Sequence, residues 1–220
     1  MLYFAHKLLS EELYKDFRKR LLISDHWMDG IHSTTGDMKD IKRNLELGIS
    51  DDYEELSGAI IEILKTDQVF QSFAIPAKIF SLLFTRTGPG MYYGPHIDTP
   101  YIFGEGRRDL SFTIFLNQPE EYEGGELILN ITPEKKSIKL QAGEMIIYPT
   151  KYLHEVKEVT EGERMVCVGW IQSQIASNED RESIYLVKQG LGEIIQTHGA
   201  SPSTMKIFNG ISNIHKSFIN

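Results

Sequence analysis

The sequence predicts a mainly β protein, a sandwich or barrel of short strands with flanking helices. Two observations carry this. Between residues 77 and 175, short runs rich in Ile, Val, Phe and Tyr alternate with Gly, Pro and Asn turn signals, the regular spacing of an antiparallel β fold. Outside that stretch, apolar residues recur at helical spacing in two segments before it and one after it. The 220 residues suit one domain with an elaborated edge, and 41% hydrophobic content suffices for a packed core. The expected layout is residues 1–76 as an N-terminal helical flank on the core, 77–175 as the β core, and 176–220 as a C-terminal helix and tail.

Taken in order, the first helix spans residues 10–22. Ser10 can cap it, Glu11 and Glu12 suit its positive end, and Leu13, Phe17, Leu21 and Leu22 share one face. Residues 26–50 read as polar and irregular. A second helix spans 51–70, capped by Asp51 or Asp52, with Leu56, Ile60, Ile61 and Leu64 as its apolar stripe. Strands are expected at 79–85, 110–116, 126–131, 137–140, 145–148 and 166–171, bounded by turns such as Gly88-Pro89-Gly90, Asn117-Gln118-Pro119 and Gly124-Gly125. A last helix covers 178–196. The residues beyond it carry scattered apolar anchors that either dock as a short helix or stay mobile.

Net charge is −8, which repels nucleic acid and anionic membrane. No run approaches the ~20 apolar residues of a membrane span. His6 and Lys7 interrupt the first apolar stretch, so the start does not read as a signal peptide. Cys167 is the single cysteine, leaves no internal disulfide, and reads as a small core residue. The expectation is a soluble cytoplasmic protein with neither a nucleic-acid nor a membrane partner.

The stretch YGPHIDTP raises the chemical question. In an extended chain, residues i and i+2 face the same way, so His96 and Asp98 can offer an imidazole and a carboxylate to one cation. His154, after a second strand and the Pro149 break, supplies a third ligand. Two histidines and a carboxylate match the facial triad of non-haem Fe(II) oxygenases, and the same set can hold Zn(II) in a hydrolase. Arg164 separates these cases. It opens the run RMVCVGWI, where alternation puts Arg164, Val166, Val168 and Trp170 on one face. An inward guanidinium needs an anion, and a carboxylate suits it best. Fe(II), Asp98 and a chelating 2-oxo-dicarboxylate together leave one negative charge in excess, which Arg164 cancels.

The segments YGPHID (93–98), RRDLSFTIFL (107–116), PEEYEGGEL (119–127), AGEMIIYPTKYLHEV (142–156), VTEGER (159–164) and WIQS (170–173) resemble the PKHD-type (prolyl/lysyl hydroxylase domain) family of Fe(II)/2-oxoglutarate-dependent dioxygenases. The resemblance covers roughly half the chain, dense and in order. It implies a double-stranded β-helix (jelly-roll) core, with His96, Asp98 and His154 as iron ligands. It implies Arg164 as the clamp on 2-oxoglutarate, with Tyr93 helping to hold the cosubstrate or line the pocket. It further implies hydroxylation of an unactivated C–H bond using O2, release of succinate and CO2, and L-ascorbate as reductant. The substrate is a peptide, through a prolyl or lysyl side chain, or a small molecule. Residues 26–50 and the loop 99–108 are the lid candidates, and Arg107 or Arg108 can attract an acidic group. A cupin-like enzyme without 2-oxoglutarate and a non-catalytic iron-sensing module are the alternatives on the same fold.

Overall fold

Antiparallel pairing around the strand Arg164–Ser173 organises the chain. In the computed structural model, which describes residues 3–34 and 36–218, this strand pairs with Pro76–Thr87 on one side and Leu110–Phe115 on the other. Glu144–Pro149 and Phe4–Lys7 extend the sheet at one edge, and Leu45–Leu47 and Trp27–Asp29 at the other, giving seven strands. A second sheet of five has the order Glu134–Ile138, Leu127–Ile131, Leu153–Val156, Tyr92–His96, Lys42–Arg43.

Alternation along Arg164–Ser173 decides what each face buries. Val166 joins Phe115, Leu127, Leu129, Ile146 and Tyr148 between the two sheets. Met165, Cys167 and Ile171 point the other way and pack with Leu21, Leu56, Ile60, Leu64 and Phe70 from the helices. Those helices are α1 (Glu11–Ile23), α2 (Asp51–Thr66) and α3 (Gln68–Ala74). Cys167 is fully buried, where desolvation pushes its thiol pKa up. Further on, α4 (Asn178–His198) and α5 (Pro202–Lys216) form a helical pair. Ile184, Leu191 and Ile211 of this pair cover Ile75 and Ile175 in a separate small core.

Several elements differ from the expectation. Residues 26–50 are not irregular: they supply Trp27–Asp29, Lys42–Arg43 and Leu45–Leu47 to the two sheets. These strands are two or three residues long, too short to show a period of two. The expected helix 51–70 is two helices. Ser50, rather than Asp51 or Asp52, caps the first through Tyr53 N at 3.2 Å. Asp67 ends α2 and caps α3 through Phe70 N at 2.7 Å, and its other oxygen accepts from His6 Nε2 at 2.9 Å. The strand expected at 137–140 is Glu134–Ile138, an edge strand whose charged start hides it from a hydrophobicity pattern. Residues 202–216 are helical, with Ser201 and Thr204 capping each other's backbone.

Gly169 sits opposite Phe112 in the central pairing, and a Cβ there would come within 2.6 Å of the Phe112 ring. Phe112 is 1% exposed and cannot swing into solvent. Gly169→Val should therefore cost about 1–3 kcal/mol by overpacking, read as a lower urea midpoint with an unchanged slope.

Candidate active site

The site is built where the two sheets face each other. His96 ends the strand Tyr92–His96, and its cross-strand partner is His154, so the two rings lie 4.2 Å apart between centroids. Each imidazole gives its Nδ1–H to a carbonyl, His96 to Gly94 O at 2.8 Å and His154 to Tyr152 O at 2.9 Å. A carbonyl only accepts, so both rings are Nδ1–H tautomers and both Nε2 lone pairs are free.

Asp98 follows the strand rather than belonging to it. Its carboxylate lies 3.8 Å from each Nε2, through Oδ1 to His96 and Oδ2 to His154. One ligand atom from each of His96, Asp98 and His154 lies within 4.8 Å of the others, a span that a single ion can bridge. Trp170 Nε1 at 2.9 Å and Ser111 Oγ at 3.0 Å both donate to Oδ2, and Ser111 also meets Thr150 Oγ1 at 3.1 Å. Trp170 thus lines the site, and Ser111 does so as well. Asp109 does not: it holds the Arg107 fork and the Ser173 amide.

Arg164 is 3% exposed and enters the cavity behind the triad. Its Nε has no partner among the described residues. Burial lowers its pKa, with the phenols of Tyr122 and Tyr148 acting against that shift. Tyr148 lies edge-on to His154 at 5.4 Å, and the charges of Asp98 and Arg164 both reach its buried hydroxyl. It lines the same cavity as the triad and the guanidinium. Gly125 makes room for the Arg164 stem: at φ 67°, its absent Cβ would lie 3.1 Å from Arg164 Cδ.

Tyr93 stacks on His96 at 3.7 Å between centroids and lines the cavity. They are three positions apart, a spacing that should put them on opposite faces. A bulge resolves this, because His154 and Val156, two apart, pair with His96 and Tyr93, three apart. A second bulge lies across the cavity, where Val168 and Trp170 pair with Leu83 and Phe80. Ser81 at its centre has φ 52° and lines the cavity. The cavity measures about 420 Å³. Lys42, bonded to Glu46 at 2.5 Å and Ser33 at 2.6 Å, closes one wall. Arg181, which follows the segment WIQS, is outside the cavity lining and donates from Nη1 to Ile175 O at 3.1 Å.

Three candidate ligand groups with free lone pairs face a cavity that ends in a guanidinium with no ion pair among the described residues and one unbonded N–H. That donor set fits a divalent metal chelated by a carboxylate-bearing cosubstrate. Comparison with known proteins gives the same family. Residues 82–172 match the model of the 2OG-Fe(II) oxygenase superfamily. A PKHD-type hydroxylase of Prochlorococcus marinus (strain MIT 9313) is 43% identical over 212 residues, covering 96% of each chain. Another, from strain MIT 9303, is 42% identical over 211 residues and covers 95% of each.

The chain belongs to the PKHD-type hydroxylase family.

A PKHD-type hydroxylase is a 2-oxoglutarate-dependent dioxygenase that uses Fe(II) and O2, and this chain is one. Solved structures share its double-stranded β-helix at low identity. A Pseudomonas putida prolyl-4-hydroxylase superposes with a TM-score of 0.55 at 17% identity, covering 78% of this chain and 92% of its own. A Trichoplax adhaerens prolyl hydroxylase, in complex with a hypoxia inducible factor oxygen degradation domain peptide fragment, gives 0.57 at 14%, covering 83% and 86%. In this PKHD-type hydroxylase, sequence reasoning missed Tyr148, which looked like one more apolar strand residue, and the Lys42–Glu46 pair within the stretch read as irregular.

Burial, and next the neighbouring His154, hold the His96 pKa down at about 4. The unfolded chain takes up that proton below about pH 6.5, so falling pH favours unfolding across the window between. Stability of the metal-free protein should drop by on the order of 2 kcal/mol from about pH 7 to about pH 5. Urea unfolding at both pH values checks this, and His96→Gln should flatten the dependence.

Proposed function

We propose that His96, Asp98 and His154 hold the Fe(II), and that Arg164, with the Tyr148 hydroxyl beside it, binds the far carboxylate of 2-oxoglutarate. The carrying observation is the buried Arg164 guanidinium, open to a cavity whose other end is the triad. Fe(II), 2-oxoglutarate and O2 together supply the oxidant that hydroxylates an unactivated C–H bond, with succinate and CO2 released.

The side chains position and exclude rather than attack. Gly94 O and Tyr152 O fix the two imidazoles, and Trp170 and Ser111 fix the carboxylate. Tyr93 packs on His96 and walls the cosubstrate space. The acceptor we propose is a prolyl or lysyl side chain, by likeness to the prolyl hydroxylases and to the family name. L-ascorbate as reductant follows from the same family reading. A cytoplasmic location is supported by the lone buried cysteine.

Anaerobic titration with Fe(II) and 2-oxoglutarate, followed by visible charge-transfer absorption, tests this. Wild type should develop the band. Arg164→Met should weaken 2-oxoglutarate at least ~100-fold while Fe(II) still binds, and Asp98→Ala should abolish the band. Unchanged 2-oxoglutarate affinity in Arg164→Met would overturn the assignment. In a separate measurement, Trp170→Phe should lower metal affinity about 10-fold, read by competition with a chelator.

A further inference from the structure

The two adjacent arginines, Arg107 and Arg108, have opposite environments. Arg107 is satisfied: Nε and Nη2 fork onto the Asp109 carboxylate at 3.1 Å each, and Nη2 also reaches Ser173 O at 3.0 Å. Arg108 has no carboxylate partner among the described residues. Its Nη1 donates to Thr99 Oγ1 at 3.1 Å, and its Nε is buried without a partner among the described residues. Its guanidinium lies over the Trp170 ring at 3.9 Å, and Trp170 is the donor to Asp98. Its amide donates to Pro100 O at 2.9 Å, which fastens it to the loop carrying Asp98. Half-buried Arg108 therefore stands one indole ring from the triad, at the cavity mouth beside exposed Ile97 and Thr99.

Lys42 and Glu46 neutralise each other, and Asp98 faces the two imidazoles. Glu105 accepts from Ser81 Oγ at 2.5 Å, and its charge and that of Asp98 act on Arg108 without forming an ion pair with it among the described residues. Fe(II), Asp98, 2-oxoglutarate and Arg164 would sum to zero, which leaves Arg108 at the mouth with the field of Glu105 but no carboxylate bonded to its fork among the described residues. Burial lowers the Arg108 pKa, with the charges of Asp98 and Glu105 acting against that shift. A flat, preorganised fork stacked on an aromatic face is the geometry that takes a carboxylate.

We propose that Arg108 selects the substrate class by binding a substrate carboxylate at the cavity mouth, so that the C–H bond to be hydroxylated belongs to an acid. This rests on the triad and Arg164 reading above and adds the substrate's charge to it. The carboxylate can come from a free amino or organic acid, or from an acidic side chain of a peptide. Either source places its anion on Arg108 and Thr99, with its carbon chain running along Trp170 toward the triad.

The test is calorimetric titration of protein preloaded, without O2, with Mn(II) and 2-oxoglutarate. The probes are matched pairs of equal shape and different charge. L-Proline against L-prolinamide and L-lysine against L-lysinamide test a free acid; an Asp-containing tripeptide against its Asn counterpart tests a peptide. In wild type, the acid of at least one pair should bind about tenfold or more tightly than its amide. Arg108→Gln should lose that preference, and Arg108→Lys should restore part of it. Both variants should still take up 2-oxoglutarate. A wild type that takes up 2-oxoglutarate but treats every acid and its amide alike overturns the proposal, as does a preference that survives in Arg108→Gln. Failure of wild type to take up 2-oxoglutarate strikes instead at the assignment of Arg164.

Discussion

The two sheets of this hydroxylase are tied together at one atom, the Oδ2 of Asp98. The imidazoles come from adjacent strands of the five-stranded sheet, and their mutual placement follows from strand pairing. Asp98 has no ladder to hold it. It is fixed by the indole of Trp170 and the hydroxyl of Ser111, both from the seven-stranded sheet. The position of this third candidate ligand therefore depends on the two sheets keeping their spacing. The core of Phe115, Leu127, Leu129, Ile146 and Val166 between them sets that spacing. Packing and chemistry are coupled here through two hydrogen bonds, each to an ionised acceptor and so among the stronger kind.

The interior also holds more charge than a β core of this size normally tolerates. Arg164, Lys42 and Glu46 are all buried. Lys42 and Glu46 neutralise each other across one wall, an arrangement that is locally complete. Arg164 has the phenols of Tyr122 and Tyr148 and the ring of Phe115 at 5.5 Å beside it, and the charge of Glu126 reaches it more weakly. The phenols are not anions at neutral pH, since burial raises both their pKa values. The guanidinium is thus desolvated without an ion pair among the described residues, and an anionic ligand would complete it. Such a pocket favours acids from the outset.

The site was more legible in the sequence than the periphery. His96 and Asp98 are two apart, His154 follows a strand and a Pro break, and Arg164 starts an alternating run; each signal is local and survives translation into three dimensions. Trp170 could be placed on the Arg164 face by period alone, but its bond to Asp98 is a contact across 72 residues and has no local signature. Tyr148 was hidden because its neighbours are apolar on both sides, as in any strand covered on two faces. The bulge that brings Tyr93 over His96 is a register event, set by pairing rather than by composition. Outside the site, the helix break at Asp67 depends on one side chain capping one helix as it ends another, with His6 as a distant second partner. The strands of residues 26–50 are recruited by a sheet edge already present, so their own propensity says little.

The indole bonded to Asp98 has an optical consequence. The chain contains two tryptophans. Trp27, in the strand at the outer edge of the larger sheet, gives its indole N–H to Leu21 O of α1, three strands along from Trp170. Trp170 sits beneath the Arg108 guanidinium and touches the carboxylate itself. One of the chain's two indoles thus lies one hydrogen bond from the Asp98 carboxylate, giving the enzyme an intrinsic fluorophore there that needs no label.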